Sequence, residues 1–196
     1  LLIQNYKFMY SWNHHNPVNI IYGCGSRKFL IESLKNLKTL VVTTVRGRKF
    51  LENDSILSEI TKNSYFIESI KSNPSLLSLQ EEINKIPSKN FDSILAFGGG
   101  SCIDAAKAIS AALGKSNFNA NLSDLIKNTN NYFNQPLVPI YAVPTTAGTG
   151  SEVTPFATIW DHVNQKKLSI QHKYLYPKFA IVDPELTYGL PSQITY

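Results

Sequence analysis

Six short apolar runs set the limits on what this chain can fold into. Residues 18–22, 39–44 (TLVVTT), 65–70, 93–97 (SILAF), 137–143 and 179–183 are too short for helices and rich in β-branched or aromatic side chains. Between them, residues 26–37, 49–62, 74–86 and 101–113 repeat apolar positions at helical spacing. Leu76, Leu79, Ile83 and Ile86, for example, fall on one helix face. Continuous apolar strands alternating with helices predict an α/β fold, a parallel sheet with helices on both faces. The pattern changes at residues 153–160 and 166–171. These two strand-like pieces flank Asp161-His162-Val163-Asn164-Gln165 and predict a β-hairpin. Residues 183–185 and 190–191 read as a linker leaving the sheet, and the Asn-rich stretch 117–135 as a short helix within a long loop.

Composition supports a packed core. Hydrophobic residues make up 43% of 196, enough to exclude wholesale disorder. The net charge of +5 is spread out, its densest pieces being Arg46-Gly47-Arg48-Lys49 and Lys166-Lys167. Neither has the aromatic interleaving of a nucleic-acid surface, so no nucleic-acid partner is expected. No apolar run reaches the roughly 20 residues of a membrane span, and residues 1–12 lack the plan of a signal peptide. Cys24 and Cys102 form no CxxC and no Cys/His cluster, so a reducing, cytoplasmic setting with free thiols is expected. A chain that begins at Leu1 is expected to be a processed or incomplete product.

Two segments carry the chemistry. Gly98-Gly99-Gly100-Ser101-Cys102-Ile103-Asp104-Ala105-Ala106-Lys107 follows a strand and opens a helix. Glycines there allow a sharp turn and close approach of a ligand to the backbone, and the first helical N–H groups are unpaired at the positive end of the dipole. That combination suits a pyrophosphate. Ser101 and Asp104 have capping-box spacing, and the plainer alternative is a tight turn capped by Ser101. The second segment is Pro144-Thr145-Thr146-Ala147-Gly148-Thr149-Gly150-Ser151-Glu152, again directly after a strand. Parallel strands present such loops on one edge, where ligands bind. Its hydroxyls suit phosphate oxygens and ribose, and the alternative is a flexible polar loop. It is not a Walker A loop. Gly23-Cys24-Gly25 starts a G-x-G-x-x-G but has Lys28 at the third glycine, and reads as a structural turn. Where a dinucleotide site usually has an acidic ribose clamp, the second strand ends in Thr44, followed by Arg46 and Arg48. NADP(H) is therefore expected to bind at least as well as NAD(H); the plainer alternative is that the arginines form a surface basic turn. His14, His15, His162 and His172 show no metal-ligand spacing.

GGGSCIDAAKA, VPIYAVPTTAGTGSEVTPFATI and KFAIVDPELTYGLP, in this order and spacing, resemble the N-terminal half of iron-containing (group III) alcohol dehydrogenases over residues 16–195. NPVNIIYGCGS and Asn73-Pro74-Ser75 resemble them too. The resemblance implies a Rossmann-like nucleotide-binding domain spanning 1–196, followed in the family by a helical metal domain not present here. It implies that Gly98, Gly99, Gly100 and Ser101 cradle the pyrophosphate, with Asp104 matching the family's aspartate. Thr145, Thr146 and Thr149 would lie near the phosphates and nicotinamide ribose. Lys167 matches the hairpin lysine, Thr44 the adenosine-ribose position, and Asn73 joins the cofactor contacts. NAD or NADP is the implied cofactor. The family's Fe2+ or Zn2+ ligands are expected beyond Tyr196, so no catalytic or metal residue is expected within this chain. The implied activity is that of an NAD(P)-dependent alcohol dehydrogenase or aldehyde reductase, in a homo-oligomer, acting on a small aldehyde or alcohol. The segment SEVTPFATIWDHVNQKKLSI resembles phosphonoacetaldehyde reductases of the family. The alternatives are a nucleotide-binding fragment without activity and a dehydroquinate-synthase-like lyase that uses NAD.

Overall fold

The computed structural model describes residues 15–87, 90–114, 121–129 and 134–191. Residues 1–14, with His14, and parts of the 117–135 stretch lie outside them. Six strands form one parallel sheet: β1 (Asn19–Tyr22), β2 (Thr39–Val42), β3 (Tyr65–Ile67), β4 (Ser93–Gly98), β5 (Ile140–Pro144) and β8 (Phe179–Val182). Their order is β1-β8-β5-β4-β2-β3. Between β5 and β8 the chain makes the expected hairpin, β6 (Phe156–Asp161) antiparallel to β7 (Lys166–Gln171).

The central strands β2, β4 and β5 are buried at every residue because both sheet faces are covered, which is why they read as unbroken apolar runs. Alternation still sorts their side chains. Leu40, Val42, Ile94, Ala96, Ile140 and Ala142 pack with α4 (Leu76–Lys85), α5 (Gly100–Ala112), α6 (Leu122–Lys127) and the hairpin's Ala157, Ile159 and Ile170. Val41, Leu95, Phe97, Tyr141 and Val143 pack with α1 (Phe29–Leu34), α2 (Val45–Asn53) and α3 (Ser58–Thr61). So α2, leaving β2, lies on one face, and α5, leaving β4, lies on the other. The adjacent ends of β2 and β4 form a switch point, the place where open parallel sheets leave a crevice.

The helix expected over 49–62 is two helices and begins earlier. Thr44 caps α2 by accepting a hydrogen bond from the Gly47 N–H at 3.0 Å. The chain then turns because Asp54 Oδ1 accepts from the Ile56 and Leu57 N–H groups, both at 2.9 Å, an alternative to continuing the helix. The strand expected over 65–70 ends at Ile67.

Residues 183–185 are no linker. Asp183 is 1% exposed and caps a 3-10 turn, Pro184–Thr187. Its carboxylate accepts from the backbone N–H groups of Gly25, Arg27 and Glu185 at 3.1, 3.3 and 3.1 Å, and from the Arg27 guanidinium at 2.8 Å. The Gly23-Cys24-Gly25 turn is thus structural, an anion-binding turn filled by the chain's own aspartate. Arg27 also holds Asp54 at 3.1 Å and Glu185 at 2.6 Å. Burial alone would raise the Asp183 pKa, but the Arg27 side chain and the converging N–H groups outweigh it and hold the carboxyl below its ordinary value. Such a carboxylate stabilises the fold above its unfolded-state pKa of about 4 and loses that contribution as pH falls through the lower folded value. Asp183→Ala, which leaves Arg27 partly stranded, is expected to cost roughly 3 kcal/mol at neutral pH in urea unfolding, with the gap to the unmodified chain closing toward acid pH.

Candidate functional site

The crevice at the switch point is a cavity of about 770 Å3. Thr44 borders it from the end of β2, Asn73 and Pro74 from the loop after β3, and Gly99, Gly100 and Ser101 from the start of α5. The loop after β5 contributes Thr146, Thr149 and Ser151, and the hairpin contributes Trp160 and Lys167. A second cavity, about 550 Å3, lies beside Thr39 at the opposite edge of the sheet and carries neither glycine turn nor hydroxyl loop.

The glycine turn fits the cavity because it has no Cβ atoms. Gly98 has φ 153°, and a Cβ there would meet Cys102 Sγ at 2.5 Å. A Cβ on Gly99 would lie 2.9 Å from Thr146 Oγ1, and one on Gly100 3.0 Å from the Thr149 side chain. The hydroxyl loop therefore sits directly on the turn, with the Thr145 N–H donating to the Gly98 carbonyl at 3.0 Å. Gly99 is the cap residue of α5, without side-chain help. The N–H groups of Gly100 and Ser101 make no hydrogen bond among the described residues.

Ser101 does not cap α5 as its spacing suggested. Its Oγ accepts from the Asn73 N–H at 3.3 Å, and Asn73 adopts a left-handed φ of 57°. Asp104 does not complete a capping box either. It accepts from Ser151 Oγ and from the Thr158 N–H at 3.0 Å, binding the hydroxyl loop and β6 to α5. The Trp160 N–H donates to the Pro74 carbonyl at 2.9 Å, tying the hairpin to the Asn73 loop. The Lys167 ammonium lies 5.8 Å over the Trp160 ring. Gly98 and Thr145 are not among the lining residues, and act through the backbone contact between them.

Of the two arginines after Thr44, neither lines the cavity. Arg48 is paired with Glu52 at 2.9 Å and Glu68 at 3.1 Å and stacks on Phe66, while Arg46 reaches the Gly189 carbonyl at 3.4 Å. The cation that does line it besides Lys167 is Lys71. Sequence reasoning also missed Lys107, fully buried on α5, and the partners it shares with Asp104. The one signal for it was a single charge within an otherwise small and apolar stretch, residues 105–112. Cys102 is buried, which pushes its thiol up to about 12 and leaves it unreactive.

No group of three His, Cys, Asp or Glu among the described residues is arranged to hold a metal ion, so the iron or zinc of the resemblance has no fitting donor set here. Among the described residues no helix is long and apolar enough to cross a membrane.

A family model described as "Iron-containing alcohol dehydrogenase" matches residues 17–184. The chain belongs to the iron-containing alcohol dehydrogenase family. Similar family proteins include NADH-dependent butanol dehydrogenase A of Clostridium acetobutylicum, 27% identical over 95% of this chain and 48% of that protein. Sulfoacetaldehyde reductase of Bilophila wadsworthia is 31% identical over 93% of this chain and 47% of that protein. Among solved structures, NADH-dependent butanol dehydrogenase A of Thermotoga maritima superposes with a TM-score of 0.79 at 26% identity, covering 94% of this chain and 47% of that one. Sulfoacetaldehyde reductase of Bifidobacterium kashiwanohense, in complex with NAD+, gives 0.77 at 27% identity over 94% and 49%. The chain spans about half the length of the curated relatives it matches.

The contact between turn and loop is directly testable. Gly99→Ala is expected to cost about 1–2 kcal/mol, and Gly99→Val more, because each pushes Thr146 outward. Urea unfolding measures the cost, and faster amide exchange over residues 145–150 would locate it.

Proposed function

We propose that this chain is the cofactor-binding part of an NAD(P)-dependent alcohol dehydrogenase that interconverts a small aldehyde and its primary alcohol. The observation that carries the reading is the switch-point cavity, with unpaired N–H groups of Gly100 and Ser101 on one side and the Thr146 and Thr149 hydroxyls on the other. Free N–H groups at the start of a 13-residue helix suit the two negative charges of a pyrophosphate. Thr146 and Thr149 would donate to phosphate or ribose oxygens, and Lys167 would add a positive charge from the hairpin. Asn73, held by Ser101, would close the adenosine end beside Thr44. Bound nicotinamide supplies the hydride chemistry, and these residues orient it. The family membership favours this reading over a dehydroquinate-synthase-like lyase.

On substrate, the finer proposal is an aldehyde with an anionic head group. Two of the similar proteins are sulfoacetaldehyde reductases, and residues 151–170 resemble phosphonoacetaldehyde reductases, so phosphonoacetaldehyde is the substrate to assay first. The carbonyl must be polarised as hydride arrives, and the described residues of this chain offer no donor set for a metal to do it. The 196-residue chain alone is therefore expected to bind dinucleotide without oxidising NADPH when phosphonoacetaldehyde, sulfoacetaldehyde or simple aldehydes are added with Fe2+ or Zn2+. Metal-dependent turnover by this chain would overturn that assignment.

Cofactor choice turns on Thr44. It is uncharged, and the neighbouring Arg48 already has two carboxylate partners. Tolerance of a 2′-phosphate then comes from the missing carboxylate, with Lys71 as the available cation. By calorimetry NADP(H) should bind at least as well as NAD(H). Asp is as good a helix cap as Thr, so Thr44→Asp should fold normally and weaken NADP(H) by about tenfold or more through charge repulsion. A tenfold preference of the unmodified chain for NAD(H) would refute this account of selectivity.

A further inference from the structure

Lys107 has no part in the reading above, yet it is the largest fully buried side chain described and carries an ionisable amine. Its Nζ donates to the backbone carbonyls of Ser151 and Phe156, both at 2.7 Å. It also reaches Ser151 Oγ at 3.3 Å and Thr154 Oγ1 at 3.4 Å. Ser151 Oγ in turn donates to Asp104, one helical turn earlier on α5. Asp104 holds β6 through the Thr158 N–H. A single line of polar contacts thus runs from α5 through Lys107, Ser151 and Asp104 into the end of the hydroxyl loop and the start of the hairpin. Ser151, Thr154, Phe156 and Thr158 all border the cavity.

We propose that Lys107 is a positioning residue which, with Asp104 and Ser151, clamps the hydroxyl loop and β6 onto α5 and so sets the wall against which the dinucleotide is held. This rests on the reading of the cavity as a dinucleotide site. Lys107 touches no ligand itself. A methylene stem alone could fill the same space. The amine adds the short donors, at 2.7 Å, to two carbonyls where the chain leaves the 3-10 turn Ser151–Val153 for β6; the Ser151 carbonyl otherwise accepts only from the Thr154 N–H and hydroxyl, both at 3.4 Å.

The clamp depends on the proton. An ammonium has three N–H donors for these acceptors, whereas a neutral amine has two, which bind the two carbonyls without the strength a charge adds and leave a lone pair facing the Ser151 and Thr154 hydroxyl oxygens. Burial lowers the Lys107 pKa to about 8, opposed by Asp104 on the same helix and Glu152 on the 3-10 turn. At its contact with Lys107, β6 presents the Phe156 carbonyl, a group that does not titrate. Raising the pH through this value should weaken dinucleotide binding, because the wall then keeps its place without charge-assisted donors. Global stability should move the other way. The unfolded lysine, with a pKa near 10.4, binds the proton more tightly than the folded one, so this group makes the fold more stable as pH rises from about 8 toward 10.4. A residue that served stability alone would not weaken binding over the range in which it strengthens the fold.

The test uses the full 196-residue chain and NADH or NADPH as the probe, titrated by fluorescence from about pH 7 to about pH 9.5. The dissociation constant should rise about tenfold with a midpoint near 8, the equivalent of one charge-assisted hydrogen bond. Lys107→Met should bind about tenfold more weakly at pH 7 and show no such midpoint. Ser151→Ala, which removes the Oγ and keeps both carbonyl acceptors, should lose less and keep the midpoint. It also serves if Lys107→Met fails to fold. Amide-exchange protection of residues 151–158, measured at about pH 7 without dinucleotide, should be lower in Lys107→Met than in the unmodified chain. A dissociation constant that stays flat with pH, or unchanged affinity in folded Lys107→Met, overturns the clamp and leaves the dinucleotide reading standing. Lys107-dependent loss of protection in a chain that binds neither dinucleotide supports the clamp and overturns the reading of the cavity.

Discussion

The site depends on what is missing from three residues. At Gly98, Gly99 and Gly100 a Cβ would occupy space already taken by Cys102, Thr146 and Thr149. Two loops from adjacent strands can touch only because that atom is absent. Their contact brings the helix start and the hydroxyl side chains into one cavity, lined by Gly100 and Ser101, whose N–H groups have no partner among the described residues. Everything else at this edge of the sheet supports that contact. The Thr145 N–H fastens the loop to the turn, and Asp104 and Lys107 hold the far end of the same loop.

A pattern recurs in how the fold treats its anionic groups. Asp183 sits in the Gly23-Cys24-Gly25 turn, Asp54 stops α2, and Asp104 receives a hydroxyl and an amide from the loop and hairpin. Each of these three carboxylates has backbone N–H partners of its own. Glu52 and Glu68 are likewise taken up by Arg48. Asp104 also lines the cavity, but its oxygens accept from Ser151 and Thr158, and Lys71, Lys167 and the hydroxyls on the same wall favour a polyanion.

Much of this could be read from residue order. The apolar runs located all six sheet strands, most plainly β2, β4 and β5, where burial on both faces removes the polar alternation that would blur them. The residues around Asp161 located the hairpin. The two ligand-facing loops followed from glycine and threonine content directly after strands. What could not be read was the partner of each polar group. Ser101 and Asp104 have the spacing of a local cap, but a 3-10 turn nearly fifty residues downstream offers Asp104 a better donor. Arg46 and Arg48 follow the ribose position in sequence, yet a helix turns them out of the cavity toward other partners. Thr44 looked like a ligand contact alone and proves also to be a helix cap. For Asp104 and for Arg46 the deciding contact spans elements far apart in the chain, where spacing carries no information, whereas the Thr44 cap is a local contact with Gly47.

The first strand of the sheet is also the last that can be placed. Among the described residues β1 lies at the edge and pairs only with β8, Asn19 against Phe179. On a ribosome, β2 to β5 can assemble around their own helices while β1 waits for a partner not yet made, for a time on the order of ten seconds. The Arg27–Asp183 contact closes that gap, joining the segment after β1 to the segment after β8. An N-terminal strand exposed for so long is an aggregation hazard during synthesis. The short run Asn19–Tyr22, flanked by Pro17 and Gly23, limits the length of edge that a nascent neighbour could capture.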